Sequence, residues 1–251
     1  MPLDIEFVRE RFPGREIRWY ESIDSTMREA IELAEAGCAS GVVVGADEQT
    51  AGYGRFGRAW HSERDAGLYQ TIVLRIPVAA ASLPAVTFAL GLAVSAAIEQ
   101  TAGVACDLRW PNDVLIGGRK VAGILTQLQG AAVVAGIGIN VNHTEFPPDL
   151  APVATSIRMA AGREQSREQL LVAVLEQIDA HCDILARQGA EAIRRSFAMR
   201  SSYVSGRRVT VEQGESTLMG VTAGLTEAGF LRLLRDDGRE EIIVAGGIRP
   251  A

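Results

Sequence analysis

The chain has 251 residues, 47% hydrophobic and 22% charged, with 25 Lys+Arg against 31 Asp+Glu for a formal net charge of −6. That suits one large globular domain with a small appendage, and a core big enough to fold without disulfide or metal staples. The acidic balance excludes a chain-wide electrostatic footprint for nucleic acid, although a local basic site remains allowed.

In chain order, residues 4–12 predict a short helix ended by Pro13 and Gly14, and residues 16–22 a strand with Ile17 and Trp19 on one face. Thr26-x-x-Glu29 has the form of a capping box. It opens a helix striped by Met27, Ala30, Ile31 and Ala34 that stops at Gly37. Residues 41–47 and 68–75 predict strands on either side of a glycine-rich loop. An alanine-rich helix follows over 84–100, ended near Gly103, and residues 104–109 form another strand. Residues 114–116 and 119–127 read as a hairpin over Gly117-Gly118, followed by a strand over 131–139. Successive antiparallel strands are implied, not a βαβ repeat.

Residues 143–152 are loop. A second capping-box pattern, Ser166 to Gln169, starts a long amphipathic helix through Leu170, Leu171, Val174, Ile178 and His181, with a further short helix over 189–200. From Gly206 the character changes. Short strands over 207–211, 216–222, 230–234 and 240–244, punctuated by Gly214, Gly224, Gly229 and Gly238, predict a small all-β barrel. The domains are therefore read as 1–205 and 206–251.

Cys38, Cys106 and Cys182 are few, odd in number and far apart. They make neither a zinc spacing nor a disulfide framework, and read as buried or inert thiols in a reducing cytoplasm. His61, His143 and His181 are equally scattered, so no histidine metal cluster is expected. Residues 1–6 lack the basic region and apolar run of a signal peptide. Residues 76–98 carry no charge. However, Pro77, Pro84, Gly91 and many alanines make this stretch a buried core helix starting near Pro84, not a membrane span.

The densest chemistry lies in residues 49–60, Gln-Thr-Ala-Gly-Tyr-Gly-Arg-Phe-Gly-Arg-Ala-Trp. Glycines let backbone amides approach an anion, and arginines add fixed charge with a planar donor fork. Gly52 to Gly57 spells G-x-G-x-x-G, but the dinucleotide motif needs a helix starting at the glycines. Here a strand-like run follows, so the Rossmann reading is rejected. An anion-binding loop and an ordinary surface loop with solvated arginines remain open on local grounds.

Ser25 and Thr26, at a helix start, serve either as caps or as donors to a ligand. Trp110-Pro111-Asn112-Asp113 sits at a strand end, as a turn or as an acidic contact for a metal or amine beside an amide donor. Lys120 lies across the short hairpin, either near Asp113 or solvated.

Four segments together, residues 24–26, 49–60, 109–127 and 136–142, resemble the biotin protein ligases in order and separation, and the C-terminal β segment is similar to that family's SH3-like domain. The resemblance covers essentially the whole chain. It implies an α+β fold, a mixed but largely antiparallel sheet covered by helices, with a small C-terminal SH3-like barrel. It also implies ATP-dependent biotinylation in two steps. The biotin carboxylate attacks the α-phosphate of ATP, releasing pyrophosphate and giving biotinyl-5′-AMP. A lysine of a biotin carboxyl carrier protein then attacks the mixed anhydride. Joining two anions calls for positive charge and Mg²⁺, and the acyl adenylate must be kept from water.

By the same resemblance, Ser25, Thr26, Met27, Gln49, Gly52, Tyr53, Gly54, Arg55, Lys120 and Gly123 are the biotin-binding positions. Arg55, Arg58, Trp60, Asn112, Lys120 and Asn140 are those for ATP. Lys120, Arg55 and Asp113 are implied as the reacting set, with Asp113 also facing the metal. Tyr53 and Phe56 stand where the family often has arginine, Met27 where it often has asparagine, and Arg109 where it often has lysine. The loop thus carries two fewer charges than is usual.

Many bacterial members carry an N-terminal winged helix. Only about twenty residues precede Ser22, too few for a DNA-binding domain, so no operator binding is expected. The resemblance leaves room for a homodimer. The alternatives are a catalytically weak biotin or adenylate sensor, and a lipoate or other acyl ligase on the same fold.

Overall fold

The computed structural model describes residues 2–76, 82–213 and 216–251. Pro77 and the turn read at Gly214 lie outside them. A seven-stranded sheet contains β1 (Ile17–Tyr20), β2 (Val43–Ala46), β3 (Gly67–Leu74), β4 (Asp107–Arg109), β5 (Asp113–Ile116), β6 (Arg119–Gln129) and β7 (Ala132–Asn140). Its order is β1-β2-β3-β7-β6-β5-β4. Only β1 and β2 are parallel, joined by the crossover helix α2 (Thr26–Glu35); the remaining pairs are antiparallel. The sheet is therefore mixed, with a single β-α-β unit at its start, which the strand-by-strand reading had not separated out.

Helices cover both faces. On one face the main core is built from α3 (Leu83–Ala102) and α5 (Arg167–Met199), with α1 (Ile5–Arg11) packed beside α5. A smaller cluster on the other face seats Met27, Ala30 and Ala34 of α2 on Val44, Val73 and Val134. By length and composition α3 could cross a membrane, but most of it is buried inside the protein. A helix that is apolar all round belongs in a core, and this one sits between α5 and the sheet. It stops where Gly103 takes a left-handed φ of 72°. Within α5, Gly189 leaves helical geometry at φ 79°, which accounts for the two helical segments read from the sequence.

Of the two capping-box patterns, the one at Ser166 supplies a helix cap. Ser166 Oγ accepts from the Gln169 backbone N–H at 3.1 Å. At α2 the cap position falls on Ser25, whose side chain makes no capping bond, and Thr26 is the first helical residue. The short helix α4 (Ile157–Ala161), capped by Ser156, was not foreseen.

The C-terminal segment is a five-stranded antiparallel sheet, an SH3-like barrel. Its strands are β8 (Ser205–Gln213), β9 (Ser216–Leu225), β10 (Leu231–Arg235), β11 (Glu240–Ile243) and β12 (Gly247–Pro250). The fifth strand escaped the sequence reading because its Gly-Ile-Arg-Pro carries little strand propensity; pairing with β8 fixes it. The barrel shares the main core through Val209, Val211, Leu231 and Ile248. Trp110 bolts it down, with its indole Nε1 donating to the Gly229 carbonyl at 3.0 Å.

Candidate active site

A cavity of about 840 Å³ opens on the α2 side of the sheet. Of the residues singled out from sequence, Thr26, Met27, Gln49, Tyr53, Gly54, Arg55, Arg58, Trp60, Asn112, Asp113, Lys120, Gly123 and Asn140 line it. Ser25 and Gly52 are not among the lining residues; Ser25 directly precedes Thr26, and Gly52 sits against the Gln49 side chain.

The sheet supplies a floor without side chains. Gly123 of β6 and Gly138 of β7 are register partners. A Cβ on Gly138 would lie 2.4 Å from the Trp60 ring, and one on Gly123 would lie 2.9 Å from Lys120 Nζ. These glycines are required because Trp60 and Lys120 rest on the backbone. Replacing Gly138 with alanine should cost about 1–3 kcal/mol through overpacking and push the Trp60 ring aside. Thermal unfolding and tryptophan emission should both change, and an unaltered emission spectrum would contradict this packing.

Lys120 Nζ lies 2.6 Å from Asp113 Oδ1 and 5.2 Å from the centre of the Trp60 ring. Arg109 donates to the other Asp113 oxygen through Nη2 at 2.7 Å and Nε at 3.2 Å. A register shift between Val114 and Leu115 makes the Lys120–Asp113 contact, since Lys120 is paired with Leu115. Burial alone would raise the Asp113 pKa. The charges of Lys120 and Arg109 outweigh it and hold the carboxyl below its ordinary value.

A folded-state pKa below the unfolded one gives stability that is full above the unfolded value, roughly 4, and is lost as pH falls through the folded pKa. Urea midpoints of the wild type should therefore decline on acidification below about pH 4. The Asp113→Asn variant should start lower and lack that share of the decline; equal slopes would contradict the ion-pair account.

Asp113 was also expected to face a metal. Both its oxygens are taken by cations. The other carboxylates at the cavity among the described residues are Asp149 and Glu212, the latter 3.2 Å from Arg58 and 3.4 Å from Arg249. These groups do not make an oxygen cage for Mg²⁺. Asp113 is an anchor for two cations.

The loop over 49–60 is folded back on itself. Gly54 N–H donates to Arg58 O at 2.8 Å, Trp60 N–H donates to Gly52 O at 2.9 Å, and Phe56 adopts a left-handed φ of 59°. Arg55 Nη1 donates to Asn112 Oδ1 at 3.2 Å and to Gly246 O at 3.0 Å, so the loop tip reaches the barrel. Burial lowers the Arg55 pKa from its very high ordinary value, with Asp113 opposing that shift. The group stays charged. Asn112 Nδ2 and Asn140 Nδ2 are committed to backbone carbonyls, those of Ile124 at 2.7 Å and Thr155 at 3.1 Å. Both act as struts of the wall.

At the other end, Gln49 Oε1 accepts from Thr26 N–H at 2.9 Å and Thr26 Oγ1 at 3.1 Å, while Gln49 Nε2 donates to Ser62 Oγ at 3.1 Å. Thr26 Oγ1 also meets Thr71 Oγ1 at 2.8 Å. Ser25 Oγ is buried with no partner in the protein. A hydroxyl released from capping and left unpaired is one that a ligand can satisfy.

Sequence reasoning missed the barrel's contribution, because nothing local marks Glu212 or Arg249 as facing the loop. It also missed a meeting of histidines. Pairing of β3 with β7, Gly67 opposite Asn140, brings the segments after the loop and after β7 together. His61 and His143 then lie with ring centroids 5.8 Å apart, beside Glu63. His181 stays apart, its Nδ1 2.8 Å from Gln177 O.

With this geometry in hand, comparison with known proteins is decisive. The biotin/lipoate A/B protein ligase family model matches residues 19–143, and the biotin protein ligase C-terminal domain model matches 204–248. The chain is 33% identical over 239 residues to the bifunctional ligase/repressor BirA of Bacillus subtilis, covering 92% of this chain and 73% of that protein. The chain belongs to the biotin protein ligase family. It is also 31% identical to the biotin–[acetyl-CoA-carboxylase] ligase of Mycobacterium tuberculosis, covering 98% of this chain and 94% of that one. Among solved structures, the Aquifex aeolicus biotin protein ligase in complex with biotin and ATP superposes with a TM-score of 0.82 at 30% identity, over 94% of this chain and 99% of that chain. The mixed sheet with its C-terminal barrel is thus the fold of this ligase family.

Proposed function

We propose that this chain attaches biotin to a lysine of a biotin carboxyl carrier domain, using ATP and passing through biotinyl-5′-AMP. The observation that carries the reading is Lys120. Its ammonium is fixed by Asp113 against Trp60, over a glycine floor, in a cavity large enough for both substrates. A cation at that point draws a carboxylate and an α-phosphate together and stabilises the charge that develops between them. Asp113 is the positioning residue that aims it. Arg55, with N–H donors beyond those already used, contacts the phosphates, and the loop shields the mixed anhydride from water.

Ser25, Thr26 and Gln49 recognise the ring system of biotin. Met27, buried in the lining where the family often has asparagine, offers only apolar contact. Tyr53 packs beside α2, so the loop loses a charge there without losing a contact. We read residues 1–205 as the substrate-binding domain and 206–251 as a barrel that supports the loop. The three free cysteines fit a reducing cytoplasm, and burial pushes the Cys106 and Cys182 thiols up to about 12.

Pyrophosphate release tests the reading. Biotin with ATP should drive one turnover without a carrier and continuous turnover with one, whereas lipoate should drive neither. Release with lipoate alone would point to the other acyl ligase, and binding without release would point to a sensor.

A further inference from the structure

His61, Glu63 and His143 take no part in the chemistry above. A ring nitrogen of each histidine and a carboxylate oxygen of Glu63 lie within 4.8 Å of one another, and His61 Nε2 is 3.8 Å from Glu63 Oε2. His143 is 1% exposed, and its ring stacks on Phe146 with centroids 5.1 Å apart. Its tautomer follows from its neighbours. Tyr69 has one hydroxyl proton, which it donates to the Glu63 carbonyl at 2.9 Å. At the 3.3 Å contact between His143 Nε2 and Tyr69 Oη, the imidazole must therefore be the donor. That leaves Nδ1 with its lone pair, buried and with no partner in the protein. A buried acceptor left bare calls for an explanation.

We infer that His61, Glu63 and His143 form a binding site for a single divalent cation of the Zn²⁺ class. Two imidazoles and a carboxylate are a donor set for zinc and its late-transition neighbours, with a fourth position left open. Tyr69 supplies the outer hydrogen bond that orients a ligating histidine. Ligand atoms around a tetrahedral ion about 2.1 Å away stand about 3.4 Å apart, so the three groups close by small rotations. Glu63 and His61, both partly exposed, are free to make them. His61 and Phe146 also line the substrate cavity, so the open position faces it. The ion ties the exit of the loop to the segment after β7.

The test uses the full chain, freed of metal by a chelator and dialysed against Zn²⁺, with Co²⁺ as the spectroscopic probe. One equivalent should be retained, and the Co²⁺ form should show ligand-field bands without thiolate charge transfer, which separates this site from the three free cysteines. His61→Ala and Glu63→Gln, at partly exposed positions where the fold tolerates change, should each weaken binding at least about tenfold. Failure to retain an equivalent, thiolate bands, or unchanged affinity in both variants would overturn the assignment.

Discussion

Lys120→Ala should leave a folded protein that no longer makes the acyl adenylate at a useful rate. Removing a preorganised charge from a developing anion typically costs about 10²–10³ in turnover. The fold should survive because Asp113 keeps both Arg109 contacts and Lys120 is itself partly exposed. Single-turnover pyrophosphate release with saturating biotin and ATP reads the effect directly, and circular dichroism confirms the fold. If release stays within about threefold of wild type, the ammonium is not the group that joins the two anions. A loss confined to carrier transfer, with adenylation intact, would move Lys120 to the second step.

The largest effect on stability is expected at Arg167. Its guanidinium is 4% exposed and donates to Asp47 Oδ1 at 2.9 Å, Gly67 O at 3.3 Å and Asp65 Oδ1 at 3.3 Å. Asp47 and Asp65 flank the segment containing the substrate loop, and they are joined by Asp65 N–H donating to Asp47 O at 3.1 Å. One arginine at the start of α5 thus clamps both roots of the loop. Arg167→Met leaves a buried carboxylate without its cation, which typically costs about 3–5 kcal/mol. In a chain of this size that corresponds to a fall in Tm of roughly 6–20 °C. Biotin affinity should fall with it, because Gln49 sits two residues from Asp47. A change below about 1 kcal/mol in urea unfolding would mean that the ion pair is replaceable by water.

Much of the fold was legible because the periodicities were clean. The stripe of Met27, Ala30 and Ala34 does face the sheet, and Gly103 does stop α3. The errors have physical causes. The capping box at Thr26 fails because Gln49, 23 residues on, takes the threonine's N–H and hydroxyl, a tertiary bond overriding a local one. The last strand is invisible locally because its partner sets it.

At the site, the hairpin and its Gly-Gly turn made a meeting of Lys120 with Asp113 foreseeable. The second cation on Asp113 was not, because it depends on which way Arg109 turns at the end of β4. The histidine pair escaped for a different reason. His61 and His143 are 82 residues apart in the sequence, and only the long β3–β7 ladder, running without a register shift from Leu74 to Gly67, brings them together. Spacing rules for metal sites detect ligands that lie near one another in sequence and miss those gathered by a sheet.

The most direct test of the central claim is the intact mass of a biotin carboxyl carrier domain after incubation with this chain, biotin and ATP. The account predicts that the carrier gains one biotinyl group on a single lysine, that omission of ATP prevents it, and that Lys120→Ala nearly abolishes it. A carrier that stays unmodified while the chain still binds biotin would contradict the account and leave a binding protein in its place.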